Sequence, residues 1–379
     1  MNIAVPKERA PGERRVALVP DVVAKLVKDG HAVRVERGAG ALAFAPDDAY
    51  AGAGATLADG AAVYEGAQIV ARVGKPSDEE LDGIPRGATL IGLLSPLGDP
   101  RSVERYATRG LSAIAMELIP RTTLAQSMDA LSSQASIAGY KAVLLAASTL
   151  PKYFPMLTTA AGTVKPAKVF VIGAGVAGLQ AIGTARRLGA MVTGYDARSA
   201  VKEQVQSLGA KFFEVAGIEA TGTGGYAREL TPEEVQTQRA AMVKAIGASD
   251  VVITTAAVPG RKAPVIVTRE AIAAMAPGSV IVDLAAETGG NTELTRAGET
   301  VVTDNGVSII GPVNLPTTVP GDASHLYARN IHSLLAHLIR DGNLSLGDDD
   351  EIARGATIVR NGEIVHEPTK SALAAGGVA

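Results

Sequence analysis

The sequence predicts an α/β protein with two Rossmann-like βαβ domains, each containing a parallel sheet, joined by long helices. Apolar runs of strand length alternate with segments of helical periodicity over most of the chain. Such alternation is typical of right-handed βαβ units. A length of 379 residues suits about two domains. A glycine-rich turn also stands between a strand-like and a helix-like segment near the middle of the chain.

The first third of the chain carries the first set of alternating elements. The segments NIAVP and HAVRVE are predicted strands, and a helix is predicted between them from Pro20 to Gly30. Proline near the start, an apolar face and a terminal glycine favour that helix. Three further apolar runs, AQIVARV, ATLIGLL and LSAIAMEL, predict buried strands of the same sheet.

The pattern then changes to one long predicted helix from Thr123 to Leu150, followed by a proline-containing loop. The βαβ pattern resumes at Lys168 and lasts to about Gly311. The loop from Gly217 to Glu234 is glycine-rich, and we expect it to be mobile and to close over a bound nucleotide. An ordinary flexible surface loop is the alternative.

After the second set of strands, a helix is predicted from Asp322, and we expect it to pack back on the first domain. A hairpin is predicted around Asn361-Gly362, with a frayed tail beyond it. The predicted domains are therefore residues 1–125 with 322–379, and residues 126–321 including the connecting helix.

Composition excludes several classes of function. The chain has 36 Lys and Arg against 39 Asp and Glu, and the net charge of −3 does not favour nucleic acid or anionic lipid. Cysteine is absent, and the five histidines show no metal-ligand spacing, so no metal is predicted. No apolar run is long enough to span a bilayer, and no signal-peptide pattern is present, so a cytoplasmic protein without direct membrane insertion is expected.

The most specific motif is GAGVAG, in which Gly173, Gly175 and Gly178 match the G-x-G-x-x-G fingerprint of dinucleotide-binding folds. It follows a predicted strand and opens a predicted helix, whose first N–H groups would receive a pyrophosphate. A second predicted strand ends at Asp196, which is placed to accept a hydrogen bond from a ribose hydroxyl. A glycine-rich turn without a ligand is the alternative.

Asp196 also bears on the choice of nucleotide. A 2′-phosphate beside its carboxylate would be repelled, so NAD(H) is preferred over NADP(H), although Arg198 would soften that preference. Later predicted strands end near Ala256 and Glu287, where ligands of open α/β sheets bind. The predicted cofactor-binding residues are Gly173, Gly175, Val176, Gly178, Asp196, Ala197, Arg198, Gly225, Tyr226, Ala256, Val258, Pro259, Glu287 and Asn314.

With these motifs established, the chain resembles the alanine dehydrogenase/proton-translocating transhydrogenase superfamily over nearly its full length. The segments VPKERAPGERRVALVP, the glycine turn, DLAAETGGN and the final long helix occur in the order of that superfamily. The resemblance implies two candidate activities. One is an alanine dehydrogenase, whose substrate arginine and lysine would be Arg15 and Lys75.

Three features argue against the dehydrogenase. The catalytic histidine of that branch should follow TLIGLL, but Ser95 stands there, and no histidine lies between His31 and His325. Amine oxidation needs a group that titrates near neutral pH, which serine does not provide. Glu287 also stands where the dehydrogenase would have aspartate.

The NAD(H)-binding domain of the transhydrogenase branch is more similar. That branch carries an Arg-x4-Gln-x2-Asp segment beside the nicotinamide, which Arg121, Gln126 and Asp129 match, with Ser132 following. The resemblance makes these four the catalytic residues: Gln126 bridges the two nucleotides, Asp129 and Ser132 hold the carboxamide and ribose, and Arg121 orients the segment. Gln126, Asp129 and Ser132 are expected on one helical face. A helix cap with a polar face is the alternative.

The resemblance implies hydride transfer from NADH to NADP⁺ held on an NADP(H)-binding partner domain, coupled to proton translocation by a transmembrane partner. It also implies a homodimer that associates with the cytoplasmic side of the membrane through those partner chains. Hydride transfer between two nicotinamide rings needs no protein acid or base, which is consistent with the missing histidine. A non-enzymatic NAD-binding regulator remains a further alternative.

Overall fold

A computed structural model describes residues 1–220, 228–257 and 262–374 of the chain. These residues form two compact units: unit 1 comprises residues 1–134 with the segment from 316, and unit 2 comprises residues 135–315. The limits predicted from the sequence lay at 126 and 322.

The helices and strands of the described residues follow the predicted alternation. The α-helices are α1 (Pro20–Lys28), α2 (Asp47–Gly52), α3 (Asp78–Gly83), α4 (Pro100–Thr108), α5 (Ala130–Thr149), α6 (Val176–Arg187), α7 (Lys202–Ser207), α8 (Pro232–Gly247), α9 (Arg269–Ala273), α10 (Pro320–Leu338), α11 (Glu351–Ala356) and α12 (Glu367–Ala374). The first strands are β1 (Asn2–Val5), β2 (Ala32–Glu36), β3 (Thr56–Ala58), β4 (Ile69–Gly74), β5 (Thr89–Leu93), β6 (Ser112–Ala115), β7 (Leu157–Thr159), β8 (Gly162–Val164), β9 (Lys168–Ile172) and β10 (Met191–Tyr195). The remaining strands are β11 (Lys211–Phe212), β12 (Val251–Thr254), β13 (Val280–Asp283), β14 (Thr300–Val302), β15 (Ser308–Ile310), β16 (Ile339–Arg340), β17 (Asn343–Leu344), β18 (Thr357–Arg360) and β19 (Glu363–Ile364).

Unit 1 is built on an eight-stranded sheet in the order β19-β18-β6-β5-β4-β1-β2-β3. The six strands from β6 to β3 are parallel, and β18 and β19 extend the sheet as an antiparallel edge. The parallel part has the 3-2-1-4-5-6 order of a Rossmann fold, so the sheet reverses its winding between β1 and β4.

Helix α10 packs in the apolar core of unit 1 although it lies far along the chain. Ile331, Leu334 and Leu335 are fully buried there. Two buried hydroxyls also tie this helix to the rest of unit 1. Ser324 accepts a hydrogen bond from the backbone N–H of Val16 (3.0 Å), and Tyr327 donates to the carbonyl of Arg72 (2.8 Å). Unit 1 is therefore discontinuous in sequence.

Unit 2 repeats the same winding in a seven-stranded sheet, in the order β11-β10-β9-β12-β13-β15-β14. Only β14 pairs antiparallel. The reversal of winding lies between β9 and β12, so ligands are expected beyond the carboxyl ends of these two strands. The predicted α/β class with two Rossmann-like domains is confirmed.

Three local predictions were wrong. The predicted helix from 123 to 150 is a 3₁₀ turn, Gln126–Met128, followed by α5, because Asp129 has ψ of 89° and interrupts the helix. The predicted loop after α5 contains the exposed hairpin β7–β8. The predicted frayed tail begins with helix α12, in which Thr369 is fully buried.

The hairpin predicted around Asn361-Gly362 is confirmed. Strands β18 and β19 pair antiparallel across these two residues. Both turn residues have positive φ, 48° and 83°, which is the backbone of a type I′ turn and explains the asparagine-glycine pair.

Candidate nucleotide-binding site

The glycine turn between β9 and α6 has the geometry of a phosphate cradle. Gly173 has φ of 96°, and a Cβ there would lie 2.5 Å from Thr255 Oγ1. A Cβ on Gly178 would lie 1.8 Å from the carbonyl oxygen of Gly173. At Gly175, by contrast, no heavy atom lies within 4 Å of the Cβ position, so this glycine faces open space. Two glycines thus close the turn, and the third leaves room for a ligand.

Helix α6 begins directly behind this opening. Its N-cap is Gly175, which has no side chain to satisfy the first N–H groups of the helix. Those donors and the positive end of the helix dipole favour an anion such as a pyrophosphate. Thr255, which the motif search missed, donates to the carbonyl of Gly173 (3.1 Å) and so holds the turn against the end of β12. The residues present fit a dinucleotide pyrophosphate.

Asp196 lies at the end of β10 and is already surrounded by donors. One oxygen accepts from the backbone N–H (2.9 Å) and Nε (2.8 Å) of Arg198, and the other from Arg198 Nη2 (2.7 Å) and the N–H of Ala174 (2.8 Å). The hydrogen bonds to Asp196 raise the pKa of the Arg198 guanidinium. A ribose hydroxyl that donates to Asp196 has to displace one of these donors, because a carboxylate offers about four acceptor positions.

Asp283, at the end of β13, organises the loops beyond the sheet. It is fully buried, and its first oxygen accepts from Thr254 Oγ1 (2.9 Å) and the N–H of Ala285 (3.0 Å). Its second oxygen accepts from three donors of the following loop: Asn291 N (2.7 Å), Thr292 N (3.2 Å) and Thr295 Oγ1 (2.5 Å). The sequence showed this aspartate only as the end of a strand.

Asn291 extends the same network to Ala256. Its amide nitrogen donates to the carbonyls of Ala256 (2.7 Å) and Pro264 (2.8 Å), and its oxygen accepts from the N–H of Ala256 (3.0 Å). Asn291 is fully buried, so these bonds hold the segment after β12 in one position. The predicted contact residue Ala256 is therefore placed by two buried side chains that the sequence analysis did not select.

The other predicted cofactor residues have different settings. Glu287 is exposed in a 3₁₀ turn after β13, and Asn314 is half-buried with φ of 44°. Val176, the first residue of α6, is exposed, and Ala197 is half-buried beside Asp196. Gly225, Tyr226, Val258 and Pro259 lie outside the described residues. Of the loop predicted from 217 to 234, Thr231 and Glu234 belong to the capping box that begins α8.

In unit 1, the four residues predicted to be catalytic line one cavity of about 330 Å³, at the segment between β6 and α5. Arg121 and Gln126 are exposed, whereas Asp129 and Ser132 are half-buried. The expectation that Gln126, Asp129 and Ser132 share one helical face is wrong, because Gln126 lies in the separate 3₁₀ turn. The turn nevertheless brings all three to the same cavity.

The polar groups of this cavity are held in place from two directions. Asp129 accepts from Ser132 N (2.8 Å) and Ser132 Oγ (2.6 Å), so it caps the first turn of α5. From α10, Asn330 donates to the carbonyl of Ser127 (2.8 Å) and accepts from Ser133 Oγ (2.7 Å). The predicted alternative of a helix cap is thus correct for Asp129, and the cap itself fixes the two groups that face the cavity.

The residues that would bind substrate in an alanine dehydrogenase have partners within unit 1. Arg15 is buried and donates to both carboxylate oxygens of Glu13 (2.8 and 2.6 Å) and to Gln134 (2.9 Å). Lys75 forms an ion pair with Asp99 (2.6 Å). A substrate carboxylate would therefore compete with a carboxylate of the chain at each of these cations.

Ser95 follows β5 with φ of 51°, and its N–H donates to Glu117. The N–H of Leu94 donates to the same carboxyl (3.2 Å), and burial raises the pKa of Glu117. Among the described residues, no cluster of three or more His, Asp or Glu could hold a metal ion. The described helices include none that is long and apolar enough to cross a membrane.

Comparison with known proteins places this architecture in one family. Residues 4–138 match the model of the alanine dehydrogenase/PNT N-terminal domain, and residues 142–367 match that of the C-terminal domain. The first of the separately encoded pieces of the NAD(P) transhydrogenase alpha subunit of Rhodospirillum rubrum is 48% identical over 97% of this chain and 98% of its own. The alanine dehydrogenase of Bacillus subtilis is 29% identical over 97% of this chain and 93% of its own.

The fold comparison agrees. The crystal structure of transhydrogenase from Sinorhizobium meliloti superposes with a TM-score of 0.88 at 44% identity, covering 96% of this chain and 100% of that one. An L-alanine dehydrogenase superposes with a TM-score of 0.84 at 27% identity, covering 99% of each chain. The chain therefore belongs to the alanine dehydrogenase/PNT family, as a member of its NAD(P) transhydrogenase alpha subunits.

Proposed function

We propose that this chain binds NAD(H) and passes a hydride from NADH to NADP⁺ held on a partner domain, in a reaction coupled to proton translocation by a transmembrane partner. The observation that carries the proposal is the cavity of unit 1, which gathers Arg121, Gln126, Asp129 and Ser132. The dihydronicotinamide ring supplies the hydride, so the chain has to bind and orient the ring and exclude water.

The hydrogen bonds of the cavity suggest a role for each residue. Ser132 Oγ gives its proton to Asp129, so its remaining capacity is to accept. A carboxamide N–H₂ group is a donor and suits that acceptor, while the ionised Asp129 accepts from a ribose hydroxyl. Gln126 is exposed and carries both a donor and an acceptor, which suits a residue that bridges to a second nucleotide. Arg121 would orient the segment and the partner domain.

The nucleotide itself would be held by unit 2. The glycine turn receives the pyrophosphate, and Asp196 with Arg198 receives the adenosine ribose. The network of Asp283 and Asn291 places Ala256 beside the turn. Gly225, Tyr226, Val258, Pro259, Glu287 and Asn314 are proposed to complete the site. NAD(H) is proposed as the preferred nucleotide of this chain, with NADP(H) on the partner.

The alanine dehydrogenase alternative is disfavoured by the pairing of its two substrate cations. Arg15 is bound by Glu13 and Gln134, and Lys75 by Asp99. Pyruvate would have to displace these partners, and Ser95 would have to do the work of a histidine. We further propose that the chain is a homodimer and acts at the cytoplasmic side of the inner membrane through its partner chains.

The test is NADH oxidation by the purified chain in parallel mixtures. One contains the recombinant NADP⁺-loaded NADP-binding domain of a related transhydrogenase, and the other contains pyruvate and ammonium. We expect oxidation only with the partner domain. Oxidation only with pyruvate and ammonium would establish the dehydrogenase, and tight NADH binding without oxidation in either mixture would favour a regulator.

A substitution then assigns the cavity. Gln126→Ala should lower the rate of hydride transfer by about 100-fold with an NADH Kd within about threefold of the wild type, because it misplaces the second ring and not the first. Ser127→Ala is the matched control, since its exposed side chain lies in the same turn outside the cavity lining. Equal rates for both variants would remove Gln126 from the mechanism.

A further inference from the structure

The start of helix α6 is held by more than the three glycines of the fingerprint. Gly139 lies in the middle of α5 and is buried. A Cβ on Gly139 would lie 2.1 Å from the carbonyl oxygen of Ala177, 2.8 Å from its carbonyl carbon and 3.0 Å from its Cα. Ala177 is the second residue of α6. The backbones of α5 and α6 therefore touch at the first turn of the helix that receives the pyrophosphate.

The apolar core beside this contact also depends on small side chains. Ala142, Val143 and Ala146 of α5 are fully buried in the same cluster as Ala181 and Ala185 of α6. Together with Gly139 they occupy positions i, i+3, i+4 and i+7 of α5, which form one helical face. Small residues on such a face permit two helices to approach at backbone distance, and Gly139 is the point of closest approach.

The contact has a direct consequence for the phosphate cradle. The first turn of α6 is packed on one side by Gly178 against the carbonyl of Gly173, and on another by Gly139 against Ala177. The one direction without a neighbour is that of Gly175. We infer that Gly139 is a positioning residue for nucleotide binding: it fixes the first turn of α6 so that its free N–H groups converge on the open side of the cradle.

The inference rests on the proposed binding of NAD(H), but not on hydride transfer. Gly139→Ala introduces a methyl carbon 2.1 Å from a backbone oxygen, whereas ordinary contact begins at 3.4 Å, so the two helices must separate by 3.4 − 2.1 = 1.3 Å. Neither atom is the end of a flexible side chain, so the backbone has to move. Donor-to-oxygen distances at a phosphate tolerate only a few tenths of an ångström, and a displacement near 1 Å costs about 100-fold in well-oriented sites.

The experiment measures the affinity of three ligands by calorimetry: NADH, ADP-ribose and adenosine, of which the first two carry the pyrophosphate. For Gly139→Ala we expect the Kd of NADH and ADP-ribose to rise by at least tenfold, while that of adenosine stays within threefold of the wild type. The matched control is Gly183→Ala, also a helical glycine, in α6, whose Cβ would meet only Leu208 Cδ2 at 3.9 Å. This variant should bind all three ligands as the wild type does.

A wild-type affinity of Gly139→Ala for ADP-ribose would overturn the inference, and so would an equal loss for all three ligands, which indicates a general structural defect. If Gly139→Ala does not fold, hydrogen exchange on the wild-type protein decides. ADP-ribose should slow amide exchange in α5 around Gly139 together with the first turn of α6, and unchanged exchange in α5 would refute the coupling. A wild-type chain that binds NADH without hydride transfer would overturn the proposed activity alone.

Discussion

The buried carboxylate of Asp283 gives the most demanding prediction for unit 2. Asp283→Asn keeps the shape of the side chain but replaces one acceptor oxygen by a donor. In the better of the two amide orientations, the remaining oxygen keeps the three donors of the loop after β13. The new N–H₂ group then faces the N–H of Ala285, which loses its acceptor, and the hydroxyl of Thr254, which can rotate to accept.

The expected loss of stability follows from this count. One buried N–H without an acceptor costs about 1–3 kcal/mol. The three retained bonds lose their charge assistance, which roughly halves their strength. We therefore expect the free energy of opening of unit 2 to fall by about 2–4 kcal/mol in Asp283→Asn, and by more in Asp283→Ala, where all five donors lose their acceptor.

Native-state hydrogen exchange under mild urea measures this loss in unit 2 alone. The amides of β12 and β13 report the opening of unit 2, and those of β1 and β4 in unit 1 serve as an internal control. Asp304→Asn is the matched substitution, because Asp304 is exposed and the described residues give its side chain no hydrogen bond. A loss below about 1 kcal/mol in Asp283→Asn would refute the view that this carboxylate organises the loops.

Two further predictions concern local chemistry. Gly175→Ala should melt at the wild-type temperature in calorimetry, because its Cβ enters open space, but the Kd for NADH should rise at least tenfold because that space is the proposed pyrophosphate site; an unchanged Kd would contradict the site. At the start of α8, hydrogen bonds from Arg228 lower the pKa of Glu234 to about 2. Since the folded-state pKa is below the ordinary 4.5, the stabilisation of α8 is complete above pH 4.5 and is lost as the pH falls through about 2. An NMR titration of the Glu234 side chain with a midpoint near 4.5 would contradict this, and Glu234→Gln should remove the pH-dependent part.

The class of the fold and the position of the phosphate-binding turn could be predicted from the amino-acid sequence. Both depend on local properties: the alternation of apolar runs, and glycines at a spacing that only a tight turn into a helix requires. The asparagine-glycine hairpin was predictable for the same reason, because positive φ at two successive residues is a local demand. The helix break at Asp129 was missed because the apolar pattern continues across it, while its cap depends on one side chain.

Which polar groups act together, by contrast, depends on the tertiary fold. The five donors of Asp283 come from three separate segments, and Arg15 is occupied by residues near 13 and 134, so no local pattern reveals either arrangement. The same holds for Gly139, which looks like an ordinary helical glycine until the fold brings the backbone of Ala177 against it. A local pattern records what each segment prefers, whereas packing density and the pairing of buried charges depend on which segments the fold brings together.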